Sequence, residues 1–211
     1  MDNGELLRDK LAGGLASLGL SLTDETQQRL IQYIRLLANW NRVDNLTAVD
    51  SPQEMVTRHL LDSLAVVPYI KGPRVIDVGT GAGLPGIPLA LACPETGFVL
   101  LDSRRKRMRF LIQAVTELEL ANVELVHSRA EAYAPARTFD TVISRALMSL
   151  VEFINKTIQL RSSSGQWLVM KGHRPEQELA DLPAMITVRQ IIPLTVPGLA
   201  AGRCLVRLAT E

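Results

Sequence analysis

Residues 75–86 constrain this chain more than any other stretch. Val75-Ile76-Asp77-Val78 is an apolar run suited to a parallel strand buried on both faces, broken only by Asp77. Glycines follow at positions 79, 81, 83 and 86, more than a plain tight turn needs. Glycine admits positive φ and lets the backbone come close to a ligand. The next stretch, Leu84 to Ala92, is apolar enough for a packed helix. Pro85 and Pro88 are tolerated near its start, where backbone N–H groups lack intrahelical partners. Those free N–H groups face a ligand. Strand, glycine turn and helix together point to an adenosine-bearing cofactor.

Two cofactor classes use nearly this turn. Gly81, Gly83 and Gly86 satisfy the dinucleotide pattern G-x-G-x-x-G. Asp102 closes the next strand, Phe98 to Asp102, about 20 residues on, as a ribose hydroxyl requires. Asp77, Gly79, Gly81 and Gly83 satisfy the acidic-x-Gly-x-Gly-x-Gly pattern of S-adenosylmethionine (SAM) sites. Asp77 weighs for the second. An acid inside the first strand has no dinucleotide role and repels a pyrophosphate, whereas a sulfonium cofactor with an ammonium group accepts it.

With 211 residues, 47% of them hydrophobic, the chain is long enough for one large domain or one domain with an extension. No apolar run reaches the ~18 residues of a membrane helix. The start, Met1-Asp2-Asn3-Gly4-Glu5, has neither the basic nor the apolar region of a signal peptide. Cys93 and Cys204 lack metal spacing and fit a reduced, cytoplasmic protein. His59, His127 and His173 are too scattered to suggest a metal site. The net charge of +1 does not announce nucleic-acid binding, so any such role rests on local patches.

The first 70 or so residues read as helical. Thr23 suits the cap of a helix whose apolar face is Leu30, Ile31, Ile34, Leu37 and Ala38. Ser51-Pro52-Gln53-Glu54 reads as a capping box, opening a helix that carries Met55, Val56, His59, Leu60, Ser63, Val66 and Val67 on one side. From Arg74 strands and helices alternate. Strands are predicted at 74–79, 97–102, 123–128, 139–145, 165–171, 185–194 and 203–209, with helices near 84–92, 104–120 and 149–160. The fold class is therefore α/β: a doubly wound, mainly parallel, seven-stranded Rossmann-like sheet that ends in an antiparallel pair. Residues 1–72 form a helical extension packed on a core domain of residues 73–211, together one compact unit. Ligands of such sheets lie beyond the carboxyl ends of the strands, which brings together Gly79 to Gly83, Asp102, His127 to Glu131, and Ser144-Arg145.

A basic run, Arg104-Arg105-Lys106-Arg107-Met108-Arg109, opens the helix after the second strand. Met108, Leu111, Ile112, Val115 and Leu118 are read as its core face, with Lys106, Arg109, Gln113 and Thr116 facing away. Cations in a first turn oppose the helix dipole. Two readings stand: phosphate attraction by a nucleic-acid binder, or a solvated face offset by Asp102 and Glu117.

These features resemble one family, over residue 20 to the end. The matching stretches are Trp40-Asn41 with Asn45-Leu46-Thr47, Arg58-His59-Leu60-Leu61-Asp62-Ser63, and Ile76 to Pro88. Further matches are Leu101-Asp102-Ser103, Lys106-Arg107, Phe110-Leu111, Ser128-Arg129-Ala130-Glu131, Ile143-Ser144-Arg145-Ala146 and Lys171-Gly172. The chain resembles the RsmG (GidB) family of bacterial 16S ribosomal RNA (guanine-N7)-methyltransferases. The resemblance implies SAM-dependent methylation of guanine N7, with 16S RNA or the 30S subunit as partner, in a monomeric cytoplasmic protein without membrane or metal. It implies cofactor contacts at Gly79, Leu84, Ala130, Glu131 and Arg145, beside Gly81, Gly83 and Asp102 from the turn motif. Glu131 also suits a plain turn cap.

Guanine N7 carries a lone pair and no proton, so no general base is nominated as a catalytic residue. N7 lies in a groove that A-form RNA makes too deep and narrow to enter, so the target is looped or extruded. RNA-side candidates are Lys106, Arg107, Arg109, Lys171 and Trp40, with the amide-rich stretch after it, Asn41 to Thr47, read as a loop that could hold the displaced base instead. Trp40 equally suits helix packing, and His59, on an apolar helix side, suits a hydrogen-bonded structural role. An NAD-linked oxidoreductase and a non-catalytic RNA-binding protein with a kept cofactor pocket are the alternatives.

Overall fold

The computed structural model describes residues 3–145 and 148–210. Ala146, the end of the Ile143 to Ala146 match, lies outside them. Among the described residues the strands are β1 (Arg74–Val78), β2 (Gly97–Asp102), β3 (Val123–His127), β4 (Phe139–Arg145), β5 (Arg161–Lys171), β6 (Ile186–Leu194) and β7 (Arg203–Thr210). They form one sheet in the order β3-β2-β1-β4-β5-β7-β6. β1 to β5 run parallel, and β7 inserts antiparallel between β5 and β6. The predicted strands and antiparallel finish are thus present. β5 starts earlier than predicted, because its polar Arg161 to Ser164 segment has no apolar alternation yet still pairs at Phe139.

The strands alternate their burial between the two faces, as a period of two requires. Val75, Leu100, Ile143 and Leu168 join one apolar cluster with Ile34 and Leu37 of α2 (Asp24–Asp44), Ile87 of α5 (Gly86–Ala92), and Phe110 and Leu111 of α6 (Arg105–Glu117). Ile76, Leu101, Val142 and Trp167 join the other with Phe153 and Ile154 of α7 (Leu150–Thr157). Both faces are covered, which is the doubly wound arrangement.

The amino-terminal helices belong to the first cluster. Leu7, Leu11 and Leu15 of α1 (Asn3–Leu18) are buried with Leu30, Ile31, Ile34 and Leu37 of α2. Thr23 caps α2, accepting the Thr26 N–H at 3.2 Å. The capping box at Ser51 does not form: Ser51 Oγ donates to Gln53 Oε1 at 2.9 Å and makes no cap bond. Beyond Ser51 the chain winds through α3 (Pro52–Met55), a π-helical segment, Val56–Leu61, and α4 (Asp62–Leu64). Ile112, predicted inside, is 57% exposed. Phe110 and Ala114, one turn apart, take the buried face of α6 and turn Ile112 outward. A short helix, α8 (Glu176–Ala180), was not predicted.

Candidate active site

The site lies at the carboxyl ends of the parallel strands, where strand order reverses between β1 and β4. That reversal opens a crevice in any sheet of this kind. The glycine turn sits on it. Gly79 and Gly81 adopt φ of 69° and 62°, a left-handed conformation closed to most side chains. The N–H groups of Gly79 and Thr80 donate to the Leu101 carbonyl at 2.8 and 3.1 Å, tying the turn to β2. Asp77 braces it from below. Its Oδ2 accepts from Thr80 Oγ1 at 2.6 Å and from the Gly86 N–H at 2.8 Å. Its Oδ1 is buried without a partner among the described residues. Burial pushes the Asp77 carboxyl up to about 6, although both hydrogen bonds pull it down.

Gly83, itself left-handed at φ 86°, and Gly86 also serve packing. A Cβ at position 83 would press on Ile87, and one at 86 would overlap Leu100 Cδ2. Leu84, expected to wall the pocket, is buried in the core cluster beneath the turn. It lines neither of the two cavities that open at this end of the sheet.

The first cavity, about 190 Å³, is lined by Gly79, Asp102, Arg107, Ala130, Glu131 and neighbours. The expected cofactor residues from β1, β2 and the segment after β3 therefore do meet. Asp102 is buried yet well served: Oδ2 accepts from the Gly81 N–H at 2.9 Å, and Oδ1 from the Arg104 N–H at 2.8 Å. Arg107 pairs with its Oδ2 at 3.1 Å and lies over Gly81. Arg107, read as an RNA contact, thus lines the cavity that holds Gly79, Asp102, Ala130 and Glu131. Glu131 sits in a 3₁₀ turn, partly exposed and 4.0 Å from Arg129. Lys106 is exposed and pairs with Asp44 at 3.1 Å, linking α6 to α2, while Arg109 is exposed on the outer face of α6.

The second cavity, about 320 Å³, is lined by Arg58, His59, Asp62, Arg145, Lys171 and Arg203, among others. Arg145, expected on the cofactor, lines this cavity. Its Nη1 donates to Asp62 Oδ2 at 3.1 Å and to the Arg58 carbonyl at 3.2 Å. Lys171 is anchored by Glu178 at 2.8 and 2.9 Å and by the Met148 carbonyl at 2.9 Å. His59 Nε2 and Thr47 Oγ1 share a hydrogen bond of 2.8 Å. Burial, aided by the Arg145 charge, pushes His59 down to about 4, so its ring is neutral at neutral pH. That structural histidine also faces the cavity.

Trp40 is half-buried and packs edge-on against Phe110, with ring centroids 5.7 Å apart. Asn41 is not in a loop: it lies in the last turn of α2, accepting the Thr47 N–H at 2.8 Å and donating to Asp50 Oδ1 at 3.0 Å. Three residues of this site escaped the sequence reading. Tyr33 of α2 donates to the Ala82 carbonyl at 2.7 Å, so the amino-terminal helices hold the turn directly. Asp62 and Arg203 meet across 141 positions. The Arg58 to Ser63 stretch, singled out by resemblance alone, was the available signal for Asp62.

A glycine turn at the switch point, an acid on the next strand and an antiparallel finish define the fold of the SAM-dependent methyltransferases. Solved structures of that fold include the glycopeptide N-methyltransferase MtfA complexed with SAM, at TM-score 0.63 and 11% identity, covering 72% of this chain and 87% of that one. N-methyltransferase NodS from Bradyrhizobium japonicum, in complex with S-adenosyl-L-homocysteine, gives 0.58 and 10%, covering 82% and 99%. The family model GidB, rRNA small subunit methyltransferase G, matches residues 26–206. The chain belongs to this family. Ribosomal RNA small subunit methyltransferase G of Laribacter hongkongensis is 47% identical over 202 residues, 96% of this chain and 98% of that protein. The protein of that name from Pseudomonas aeruginosa is 49% identical over 201 residues, 95% and 94% of the two chains.

Proposed function

We propose that this chain methylates guanine N7 in the 16S RNA of the small ribosomal subunit, with SAM as donor. One observation carries the reading: a carboxylate-bearing cavity and a cation-lined cavity both open at the carboxyl ends of the parallel strands, and Lys171 of the second donates to the carbonyl of Met148 in the lining of the first. The residues present fit the cofactor. Left-handed Gly79 leaves the backbone bare toward the first cavity, and Asp102 Oδ1, with one hydrogen-bond donor among the described residues, keeps a lone pair for a ribose hydroxyl. Asp77 supplies negative charge behind the turn, with one oxygen unpartnered among the described residues. Ala130 and Glu131 border the adenine end. The cofactor supplies an electrophilic methyl group on a sulfonium.

The remaining work is placement. N7 attacks with its own lone pair, so the chain has no proton to remove and must hold the two reactants in line. The base becomes cationic as the bond forms. Neutral His59 adds no opposing charge, and the arginines of the second cavity serve RNA phosphates better than the reacting base. We place the enzyme in the cytoplasm as a monomer; among the described residues no helix is long and apolar enough to cross a membrane. The dinucleotide and non-catalytic readings have no support among relatives named as methyltransferases. Incubation with labelled SAM and 16S RNA or 30S particles tests the proposal. It predicts one labelled guanine, located by N7-specific chain cleavage; label on an exocyclic nitrogen, or on protein alone, overturns it.

A further inference from the structure

A third cavity, about 440 Å³, borders the second one and is lined by Lys10, Glu54, Thr57, Arg58, Gly198 and Arg203, among others. Arg58 and Arg203 line both cavities and so stand on their shared rim. Asp62 lies beneath them, 2% exposed. Its Oδ1 accepts from Arg203 Nε at 2.8 Å and its Oδ2 from Arg145 Nη1 at 3.1 Å. Arg203 Nη1 donates to the Gly202 carbonyl at 2.9 Å, whereas Nη2 of Arg203 and of Arg145 has no hydrogen-bond partner among the described residues. Arg58 reaches Glu54 only at 3.9 Å, both side chains being half exposed or more.

A buried carboxylate between two arginines is a poor device for stability, since apolar packing of the same volume holds as well or better. The segment that delivers Arg58 and leads into Asp62 is a π-helix, a rare form frequent at functional sites. Thr57, in the same segment, faces the third cavity with its Oγ1 buried and unpartnered among the described residues. Two cavities with a cationic rim between them match a dinucleotide step: a base on either side and a phosphate in the middle. Arginine recognises phosphate through fixed, paired N–H groups.

We infer that Arg58 and Arg203 bind the RNA phosphate joining the target guanosine to its neighbour, and that Asp62 is a positioning residue that aims Arg203 and Arg145 at the substrate cavity. This rests on the RNA reading above. Arg58→Gln, Arg203→Gln, Arg203→Lys and Asp62→Asn test it, each checked for folding by its melting curve. RNA affinity is measured against salt on 16S transcript and on 30S particles, taking whichever form the wild-type chain methylates. Arg58→Gln and Arg203→Gln each lower the slope of log affinity against log salt by about 1 and weaken RNA binding about tenfold, with SAM affinity kept. Arg203→Lys keeps the slope, because the charge stays. Asp62→Asn keeps every cation and hence the slope, but raises KM for RNA with kcat little changed. Wild-type slope and KM in both glutamine variants overturn the inference while leaving the methyltransferase reading intact. Failure of the wild-type chain to methylate RNA overturns both.

Discussion

Asp77 Oδ2 accepts the backbone N–H of Gly86 at 2.8 Å, so the acid in β1 fastens the first turn of α5 beneath the glycine loop. The closeness of this contact requires glycine at 86. A Cβ there would overlap Leu100 Cδ2 and lie 2.8 Å from Asp77 Oδ2. Gly86→Ala is expected to cost about 1–3 kcal/mol of stability by overpacking, read as a lower denaturant midpoint at unchanged m. An unchanged midpoint would show that the turn yields freely.

The raised Asp77 carboxyl, at about 6 against the usual 3.8, makes two pH predictions. The folded state holds this proton more tightly than the unfolded chain does. Its stabilising contribution is therefore present below 3.8 and lost as pH rises through about 6. Cofactor affinity runs the other way, because the ionised form favours a cationic ligand. SAM titrations from pH 5 to 7 should show affinity rising in the wild-type chain and flat in Asp77→Asn, within the ~1 unit on either side that one titrating group spans. A parallel rise in both proteins would remove Asp77 from the cofactor's surroundings.

His59 acts with the opposite sign. Its pKa is pushed down to about 4 from 6.5, so between these values the unfolded chain binds the proton and the folded one does not. Stability from this group is full above 6.5 and falls as pH drops toward 4. His59→Gln should lose less stability than wild type over that interval, measured by urea melts at each pH. Identical pH dependence in the two proteins would contradict a buried neutral ring.

Asp102 orders the turn through the Gly81 N–H, and the proposed function gives it a ribose hydroxyl as well. Asp102→Asn should weaken SAM binding by about 1.5–3 kcal/mol, tenfold or more, as expected for a hydrogen bond to a charged group. Calorimetric titration measures it. Undiminished affinity would remove this carboxylate from the cofactor set.

Trp40 packs on Phe110, and that contact makes a structural role the better account. Trp40→Ala should cost about 2 kcal/mol, less than a fully buried aromatic because Trp40 is half-buried. RNA affinity of the folded variant should match wild type; a selective loss of RNA binding would restore the stacking role.

Strands and their order of use were legible because apolar runs and glycine punctuation are local signals. The Thr23 cap was local too, and it formed. The Ser51 box failed because Gln53 took its hydroxyl, a competition no spacing rule reveals. Ile112 faced the wrong way because Phe110 sets the buried side of α6, and only packing against Trp40 and Tyr33 decides that. Of the site, the turn and Asp102 were readable from pattern. The pairing of Asp62 with Arg145 and Arg203 was not, since the three residues come from three separate elements and carry no common period. Arg107 looked like its exposed neighbours Lys106 and Arg109, and one helical step turned it onto Asp102 instead.

Tyr33, Asp77 and Asp102 all lie within the first half of the chain, whereas Arg203 arrives on β7, the last of the described strands in chain order. During synthesis the donor half of the catalyst therefore has its parts first. Asp62 keeps one arginine and waits for the other until the hairpin docks. A chain halted short of β7 is expected to present a methyl-donor pocket with an unfinished RNA rim, so competence toward the ribosome is a late event in the life of each molecule.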